Sequence, residues 1–289
     1  MRKTAAALLA LFLALLSSLS AFAELDIRFL SIGQGDCTIV LCDGESMVID
    51  GGPASASGFL YSYIINDLKL THVDYVISTH PHVDHVGGLA AVLSSVPVDL
   101  VLSPVTEWDS KRFSNMLKQA RKQGAPVTVP GEGDTLRLGG ATVTVLHCWP
   151  EAGSYTGTND MSIVVRIDYG ERSVIVTGDA EETSEYMMID SGLPLKADVL
   201  RVAHHGSYSA TTDEFLDAVS PAYAVISCGR NNSYEHPHQV VLNRLKAHGV
   251  RVFRTDLQGT VRCVSDGKDL RFETEKETRK DLYVSPGNE

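Results

Sequence analysis

Four side chains that bind metal ions, His80, His82, Asp84 and His85, fall within six residues of one another, in the stretch Thr79-His80-Pro81-His82-Val83-Asp84-His85-Val86-Gly87-Gly88. Imidazole nitrogens and carboxylate oxygens are the ligands that Zn²⁺ and similar divalent ions take. The run before them, Val73-Asp74-Tyr75-Val76-Ile77-Ser78, is apolar and β-branched and predicts a buried strand. The run after them, Val86 to Leu93, opens with two glycines and predicts a helix. The ligands are therefore expected on a strand-to-helix loop, where a rigid scaffold presents chemistry. A solvated, histidine-rich loop or a helix cap is the plainer alternative. Four ligand types at this spacing, directly after a core strand, leave it little room.

The first 23 residues are not expected in the fold. Arg2 and Lys3 form a positive start, Ala5 to Leu16 is a short apolar run, and Ala21-Phe22-Ala23 is a small-residue cleavage site before Glu24. That pattern predicts a secretory signal peptide. The apolar run is short for a membrane span. An uncleaved anchor is the weaker alternative, because a cleavage site follows the run. No cysteine follows that site, so a lipid anchor is not indicated. No later segment is apolar enough to span a membrane, so the mature chain is expected to be soluble, secreted and without stable membrane insertion.

The rest, Glu24 to Glu289, is long enough for one large domain with a substantial core. The formal net charge of the chain is −11, and removing the two cations Arg2 and Lys3 takes it to −13. An acidic chain lacks the basic field of a tight, non-specific nucleic-acid binder. A nuclease whose metals draw in phosphate locally remains compatible with it. The five cysteines, Cys37, Cys42, Cys148, Cys228 and Cys263, match no zinc ribbon or disulfide framework. Most are expected to be buried small apolar residues, with one disulfide compatible with export.

Along the chain, strands are predicted at Leu25–Leu30, Cys37–Cys42, Ser46–Asp50, Val73–Ser78, Asp99–Leu102, Pro126–Val129, Thr135–Leu138 and Ala141–Cys148. Helices are predicted over Gly58–Leu68 and Ser110–Gln123. In the second half, Ser162–Asp168 and Ser173–Thr177 predict a hairpin around Tyr169-Gly170-Glu171. Helices follow near Glu181–Ile189, Thr211–Val219 and Pro237–His248, and strands at Ala197–Ala203, Ala222–Ser227, Val250–Arg254, Gly259–Val264 and Leu270–Glu273. The order is mixed α/β. It predicts two sheets face to face with helices outside, a four-layer αββα sandwich, in one domain over residues 24–273. The polar tail from Thr274 to Glu289 is expected to be frayed and flexible.

Three further groups of polar residues lie at strand ends. Val174-Ile175-Val176-Thr177-Gly178-Asp179 puts an aspartate past a buried strand. Leu200-Arg201-Val202-Ala203-His204-His205-Gly206-Ser207 puts two histidines past another, and Thr158-Asn159-Asp160-Met161-Ser162 precedes a third. Each alone reads as a turn or a helix cap. With the first cluster, as strand ends, they are expected to converge on one rim of the sheets.

His80-x-His82-x-Asp84-His85, then Thr177-Gly178-Asp179, then a histidine after a strand, resembles the ordered ligand set of the metallo-β-lactamase fold. The likeness is closer to one branch, the extracytoplasmic metallo-β-lactamase-like domain of the competence protein ComEC and its stand-alone exported relatives. Ser31-Ile32-Gly33-Gln34-Gly35-Asp36, Ile49-Asp50-Gly51-Gly52, the Asn159 to Ser162 segment, His204-His205-Gly206-Ser207 and Asn232-Ser233-Tyr234-Glu235-His236-Pro237-His238 carry it. The membrane channel of ComEC has no counterpart in this sequence, so an uptake-pore role is not expected. The resemblance implies that His80 and His82 bind one metal, that Asp84 and His85 bind a second, and that Asp179 bridges them. A histidine of the His204/His205 pair completes the second site, and either could be the one. Many members carry a histidine where this chain has Asn159-Asp160. Asp160 is then a substitute ligand, or the first metal is held more loosely. Asp36 and Asp50 are expected to orient ligands as hydrogen-bond partners, with a turn role as likely for Asp36. Ser207, Tyr208, His236 and His238 are expected to line a substrate cleft, with a helix cap the alternative for the two histidines.

The ligand set implies two divalent ions, zinc or alternatively manganese, and hydrolysis by metal-activated water. Asp84 is the residue expected to orient that water or shuttle its proton. The branch favours a phosphodiester substrate, extracellular DNA or a smaller nucleotide. A phosphocholine esterase acting on cell-envelope polymers is the second expectation, and β-lactam hydrolysis a weaker one. A non-catalytic, metal-stabilised module that binds an envelope polymer is the expectation from outside enzymes.

Overall fold

Alternation of apolar side chains along the first strands sets up the layers, because successive residues of a strand face opposite sides. In β1 (Leu25–Phe29), Leu25, Ile27 and Phe29 face one core. In β2 (Thr38–Cys42), Val40 and Cys42 join that core while Ile39 faces the other way. In β3 (Glu45–Ile49), Met47 and Ile49 divide from Val48 in the same manner. The computed structural model describes residues 24–152 and 156–286. The leader, expected over residues 1–23, lies outside the described residues.

β1 to β3 continue into β4 (Val73–Ile77), β5 (Val98–Leu102) and β6 (Val127–Thr128). With β14 (Val261–Ser265) and β15 (Leu270–Thr274) they form an eight-stranded sheet in the order β15-β14-β1-β2-β3-β4-β5-β6. It is parallel from β3 to β6 and antiparallel elsewhere. The second sheet holds β7 (Thr135–Leu138), β8 (Ala141–His147), β9 (Val164–Tyr169), β10 (Arg172–Val176), β11 (Val199–Arg201), β12 (Tyr223–Ile226) and β13 (Arg251–Arg254). Its order is β13-β12-β11-β10-β9-β8-β7, parallel from β10 to β13.

The core between the sheets joins Ile27, Phe29, Met47 and Ile77 to Val143, Ile167, Val176 and Phe253. A second core lies outside the first sheet. Leu60 of α1 (Ser57–Ser62), Val86 of α2 (Val83–Val86), Val92 of α3 (Leu89–Ser95) and Phe113, Met116, Leu117 and Ala120 of α4 (Lys111–Gln123) cover it. The spacing of those α4 residues is the apolar face of a helix of period 3.6. A third core lies outside the second sheet, under Met188 of α5 (Glu182–Asp190), Phe215 of α6 (Asp213–Val219) and Leu242 of α7 (Gln239–Ala247). Helix, sheet, sheet, helix is the four-layer sandwich expected from the sequence.

Four local features differ from the sequence reading. The helix expected over Gly58–Leu68 is α1 followed by a π-helical stretch, Tyr63–Asp67. The helix expected from Val86 is two short ones, α2 and α3, so Asp84 and His85 sit on a helical turn rather than in a loop. A short helix, α8 (Thr255–Gln258), was not expected after β13. The tail returns to the body instead of fraying: Arg254 donates to the carbonyls of Leu282 and Val284, and the Tyr283 hydroxyl donates to the Val250 carbonyl at 2.6 Å. All five cysteines are buried free thiols. No helix among the described residues is long and apolar enough to cross a membrane.

Candidate metal centre

The carboxyl ends of parallel strands from both sheets open on one rim, where α/β sheets place ligands. β3 delivers Asp50, β4 delivers Thr79 to His85, β10 delivers Asp179, and β11 delivers His204 and His205. The antiparallel β9 starts on the same rim, which brings Asn159 to Ser162 there. The glycines of the first motifs serve close backbone approach. A Cβ on Gly88 would stand 2.1 Å from the Gly51 carbonyl oxygen, and one on Gly51 would stand 2.5 Å from the Leu89 nitrogen. Backbone hydrogen bonds tie α2 to the turn after β3 at this approach. Gly51 N–H donates to the His85 carbonyl at 2.7 Å and Gly88 N–H to the Gly52 carbonyl at 3.0 Å.

Asp179 Oδ2 stands at the middle of an imidazole ring of neighbours. His85 Nε2 is 3.1 Å away, His205 Nε2 3.6 Å, His80 Nε2 3.8 Å and His204 Nε2 3.9 Å. His205 Nε2 also lies 3.5 Å from Asp84 Oδ2 and 3.3 Å from His85 Nε2. His82 Nδ1 lies 3.0 Å from His80 Nε2. Partners on the far side of each ring set which nitrogen carries the lone pair. Asp50 Oδ2 accepts from His85 Nδ1 at 2.8 Å, and the Ser227 carbonyl accepts from His205 Nδ1 at 2.8 Å. The single Thr79 hydroxyl proton goes to Asp50 Oδ2 at 2.6 Å, so Thr79 Oγ1 accepts from His80 Nδ1 at 3.1 Å. His80, His85 and His205 are thereby held with Nε2 facing Asp179. Outer partners of this kind orient metal-ligating histidines.

The donor set fits a divalent cation. Its atoms are imidazole nitrogens and carboxylate oxygens converging from the buried His80, His85, Asp179 and His205 and the part-exposed Asp84, and Asp179 Oδ1 is buried with no hydrogen-bond partner. Burial opposes the charged form of Asp179, but His85 and His205 outweigh it and hold its carboxyl well below the usual range. Burial likewise opposes charge on His85, and Asp179 with Asp50 outweighs it, so a proton is held there well above the imidazole norm. Burial lowers His80 well below that norm. Ligation needs the neutral ring, so a metal competes with the proton that His85 would otherwise hold.

The two histidines left open by the sequence separate here. His205 is buried in the cluster, whereas His204 is part-exposed, with Nδ1 2.9 Å from Glu181 Oε1 and 3.2 Å from Ser209 Oγ. Both have left-handed backbone, φ 46° and 55°, which turns consecutive side chains to different partners. Asp160 points away from the cluster. Its Oδ1 accepts from the Glu181 amide at 3.1 Å and the Ser184 hydroxyl at 2.7 Å, at the start of α5. The expectation that it substitutes for a ligand is corrected: it ties down a helix start. Asp160→Ala is expected to leave the metal titration of activity unchanged and to lower stability by about 1 kcal/mol, read by denaturant unfolding. Weakened metal dependence in that variant would contradict the assignment.

Asp36 is not a turn cap. Its Oδ2 lies 2.9 Å from Arg201 Nη2, and neither side chain is exposed. Arg201 Nη1 also donates to the Gly178 carbonyl at 2.5 Å. The sequence reading missed Arg201, although a charged residue inside an apolar strand is a signal that it must be paired. His238 and Ser207 do not line the cleft. His238 precedes α7 and its Nδ1 accepts from the Tyr208 amide at 3.0 Å, while Ser207 is buried with its hydroxyl 2.9 Å from Ser209 Oγ. His236 does line it, and burial next to His205 and His204 lowers its pKa to about 3.

The cleft over the cluster has a volume of about 370 Å³. Asp179, Asp84, His82, His204, His205 and His236 form its polar part, and Gln34, Pro81, Val83, Trp108, Ser110 and Tyr234 complete it. The sequence reading named Gln34 and Tyr234 only as parts of motifs and Ser110 only as a helix start, and did not name Trp108.

A family model described as the metallo-beta-lactamase superfamily matches residues 30–230. The chain is 32% identical over 256 residues to ComE operon protein 3 of Bacillus subtilis (strain 168), a match covering 83% of this chain and 33% of that protein. It is 29% identical over 230 residues to Competence protein ComA of Neisseria gonorrhoeae, covering 79% of this chain and 30% of that one. The chain thus spans about a third of the length of these relatives. Among solved structures, Igni18, described as a novel metallo hydrolase from the hyperthermophilic archaeon Ignicoccus hospitalis KIN4/I, matches with a TM-score of 0.53 at 16% identity, over 82% of this chain and 98% of that one. That likeness is one of fold.

Proposed function

This chain belongs to the metallo-beta-lactamase superfamily of metal-dependent hydrolases, and we propose that it is an exported enzyme that hydrolyses phosphodiesters. The observation that carries the reading is the Asp179 carboxylate, with four imidazole nitrogens within 3.9 Å of one oxygen at the base of an open cleft. Likeness to competence proteins supports the phosphodiester.

In this reading His80 and His82 would hold one divalent ion, zinc or alternatively manganese, Asp84, His85 and His205 would hold a second, and Asp179 would be a ligand to both. When bound, such ions draw charge from the substrate's oxygen and acidify a water. The chain's own groups do the positioning. The Asp84 carboxyl, held well below the usual range by His205 and His85 against the effect of burial, stays ionised. That suits accepting a hydrogen bond from the attacking water better than storing its proton. His204, braced by Glu181, is placed to hydrogen-bond a substrate oxygen. Asp50 and the Ser227 carbonyl fix the rings of His85 and His205.

A panel assay of the purified chain with Zn²⁺ or Mn²⁺ tests this. It should include a chromogenic phosphodiester, single- and double-stranded DNA, a phosphocholine ester and a β-lactam. Phosphodiester cleavage is expected to exceed β-lactam cleavage by a wide margin. Because the chain carries a net charge of −11, DNA cleavage is expected to slow as salt falls below the level that screens repulsion. Small phosphodiesters should show less of this dependence. Cleavage of the β-lactam alone would overturn the assignment, cleavage of the phosphocholine ester alone would point to envelope polymers, and binding without turnover would point to a non-catalytic module. Export is part of the same proposal: mass measurement of secreted protein is expected to give a terminus at Glu24, and an intact Met1 in membranes would contradict it.

A further inference from the structure

Beside the cleft runs a row of aromatic rings that the hydrolytic chemistry does not use. Tyr234 lies against His236, with ring centres 5.6 Å apart and planes at 25°. His236 meets His238 edge-on at 4.8 Å, and His238 meets Tyr208 at 5.0 Å. The row joins the site at His236, whose ring lies 6.1 Å from that of His205 at 29° and which lines the cleft together with Tyr234. The two tyrosines are 68% and 62% exposed, more than any other large apolar or aromatic side chain among the described residues. Exposing two tyrosines beside a site forgoes burial that a purely structural role would use.

We propose that this row is a base-stacking platform that seats a single-stranded nucleic-acid segment next to the scissile phosphodiester. The proposal rests on the phosphodiester reading and names the form of its substrate. A ring face stacks on any base, and a row of rings can take successive unpaired bases. Paired bases present edges, not faces, to such a row, so duplex is disfavoured. No lysine or arginine is among the cleft-lining residues, so a strand must gain affinity there from stacking rather than from phosphate pairing.

The test measures binding of a fluorescent phosphorothioate oligothymidylate, which resists turnover, to the metal-loaded full chain. Tyr208→Ala and Tyr234→Ala are each expected to weaken binding about fivefold or more. Phenylalanine at either position should retain it, and Tyr61→Ala, removing another exposed tyrosine, should not change it. In turnover, KM for an oligonucleotide should rise more than KM for the small chromogenic phosphodiester. Equal binding by the alanine variants and wild type, equal affinity for duplex, or displacement by a choline-bearing polymer but not by oligonucleotide would each overturn the platform. If the chromogenic phosphodiester is not hydrolysed while oligonucleotide binding still depends on the rings, the platform stands and the hydrolytic reading falls.

Discussion

Asp179→Ala is expected to lower kcat by roughly 10³-fold or more and to strip bound metal from the chain. Among the described residues the carboxylate is the only acidic group that lies within 3.9 Å of nitrogens from His80, His85, His204 and His205 together. Without it, the anions left around those rings, Asp50 on His85, Asp84 on His205 and Glu181 on His204, each serve one ring and none is shared. Any cation brought there would meet less opposing charge, and the geometry that Asp50 and Ser227 impose on the rings would lose its focus. Metal analysis of the purified variant should show well under the wild-type content, which is expected to approach two equivalents. Wild-type turnover with full metal content in Asp179→Ala would refute the shared role.

The same variant separates metal binding from folding. A ligand that binds only the folded state stabilises it by RT ln(1 + [L]/Kd), about 4 kcal/mol at a thousandfold excess over Kd. Thermal unfolding of the wild type should therefore shift upward with added Zn²⁺ and downward with a chelator. Asp179→Ala should lose most of that shift. A variant that unfolds alike with and without metal, yet has a wild-type fold by circular dichroism, isolates the lost ligation from any general damage.

Much of this arrangement was legible because strand ends carry it. Alternating apolar residues mark β1 to β4 and β8 to β11, and the ligand-type residues stand just past them. Once the strands are placed, the rim follows. What could not be read are partners set by tertiary contact. Asp160 has the right chemistry for a ligand, but its carboxylate is claimed by Glu181 and Ser184, some twenty residues later. His204 and His205 differ in sequence position by one. Only their left-handed backbone decides that His205 turns inward. The break between α2 and α3 falls where the Gly88 N–H and the His85 carbonyl bond to Gly52 and Gly51 instead of continuing the helical ladder, and no helix propensity encodes that. His238 looked like a cleft residue because His236 is one; the turn before α7 points it instead at the Tyr208 amide.

Arg201→Met is expected to cost about 3–5 kcal/mol of stability, the largest effect expected outside the ligands. Arg201 and Asp36 are both fully buried and 2.9 Å apart. Removing the guanidinium takes away the main charge that opposes a carboxylate whose pKa burial already raises, and leaves only His85 and His205 against it. For a domain of this size the melting temperature should fall by roughly 10 °C. Function should fall as well, because Arg201 also holds the Gly178 carbonyl in the turn that presents Asp179, and its Nη2 is 3.4 Å from His205 Nδ1. The double variant Asp36→Asn with Arg201→Met gives the decisive comparison. It removes both charges, so if the penalty is an unpaired charge, stability should recover in part. Activity should recover less, because the bond to Gly178 stays lost. If the double variant is no more stable than Arg201→Met, the cost lies in packing rather than charge. Wild-type stability in the single variant would mean that the Asp36 carboxyl does not need its partner.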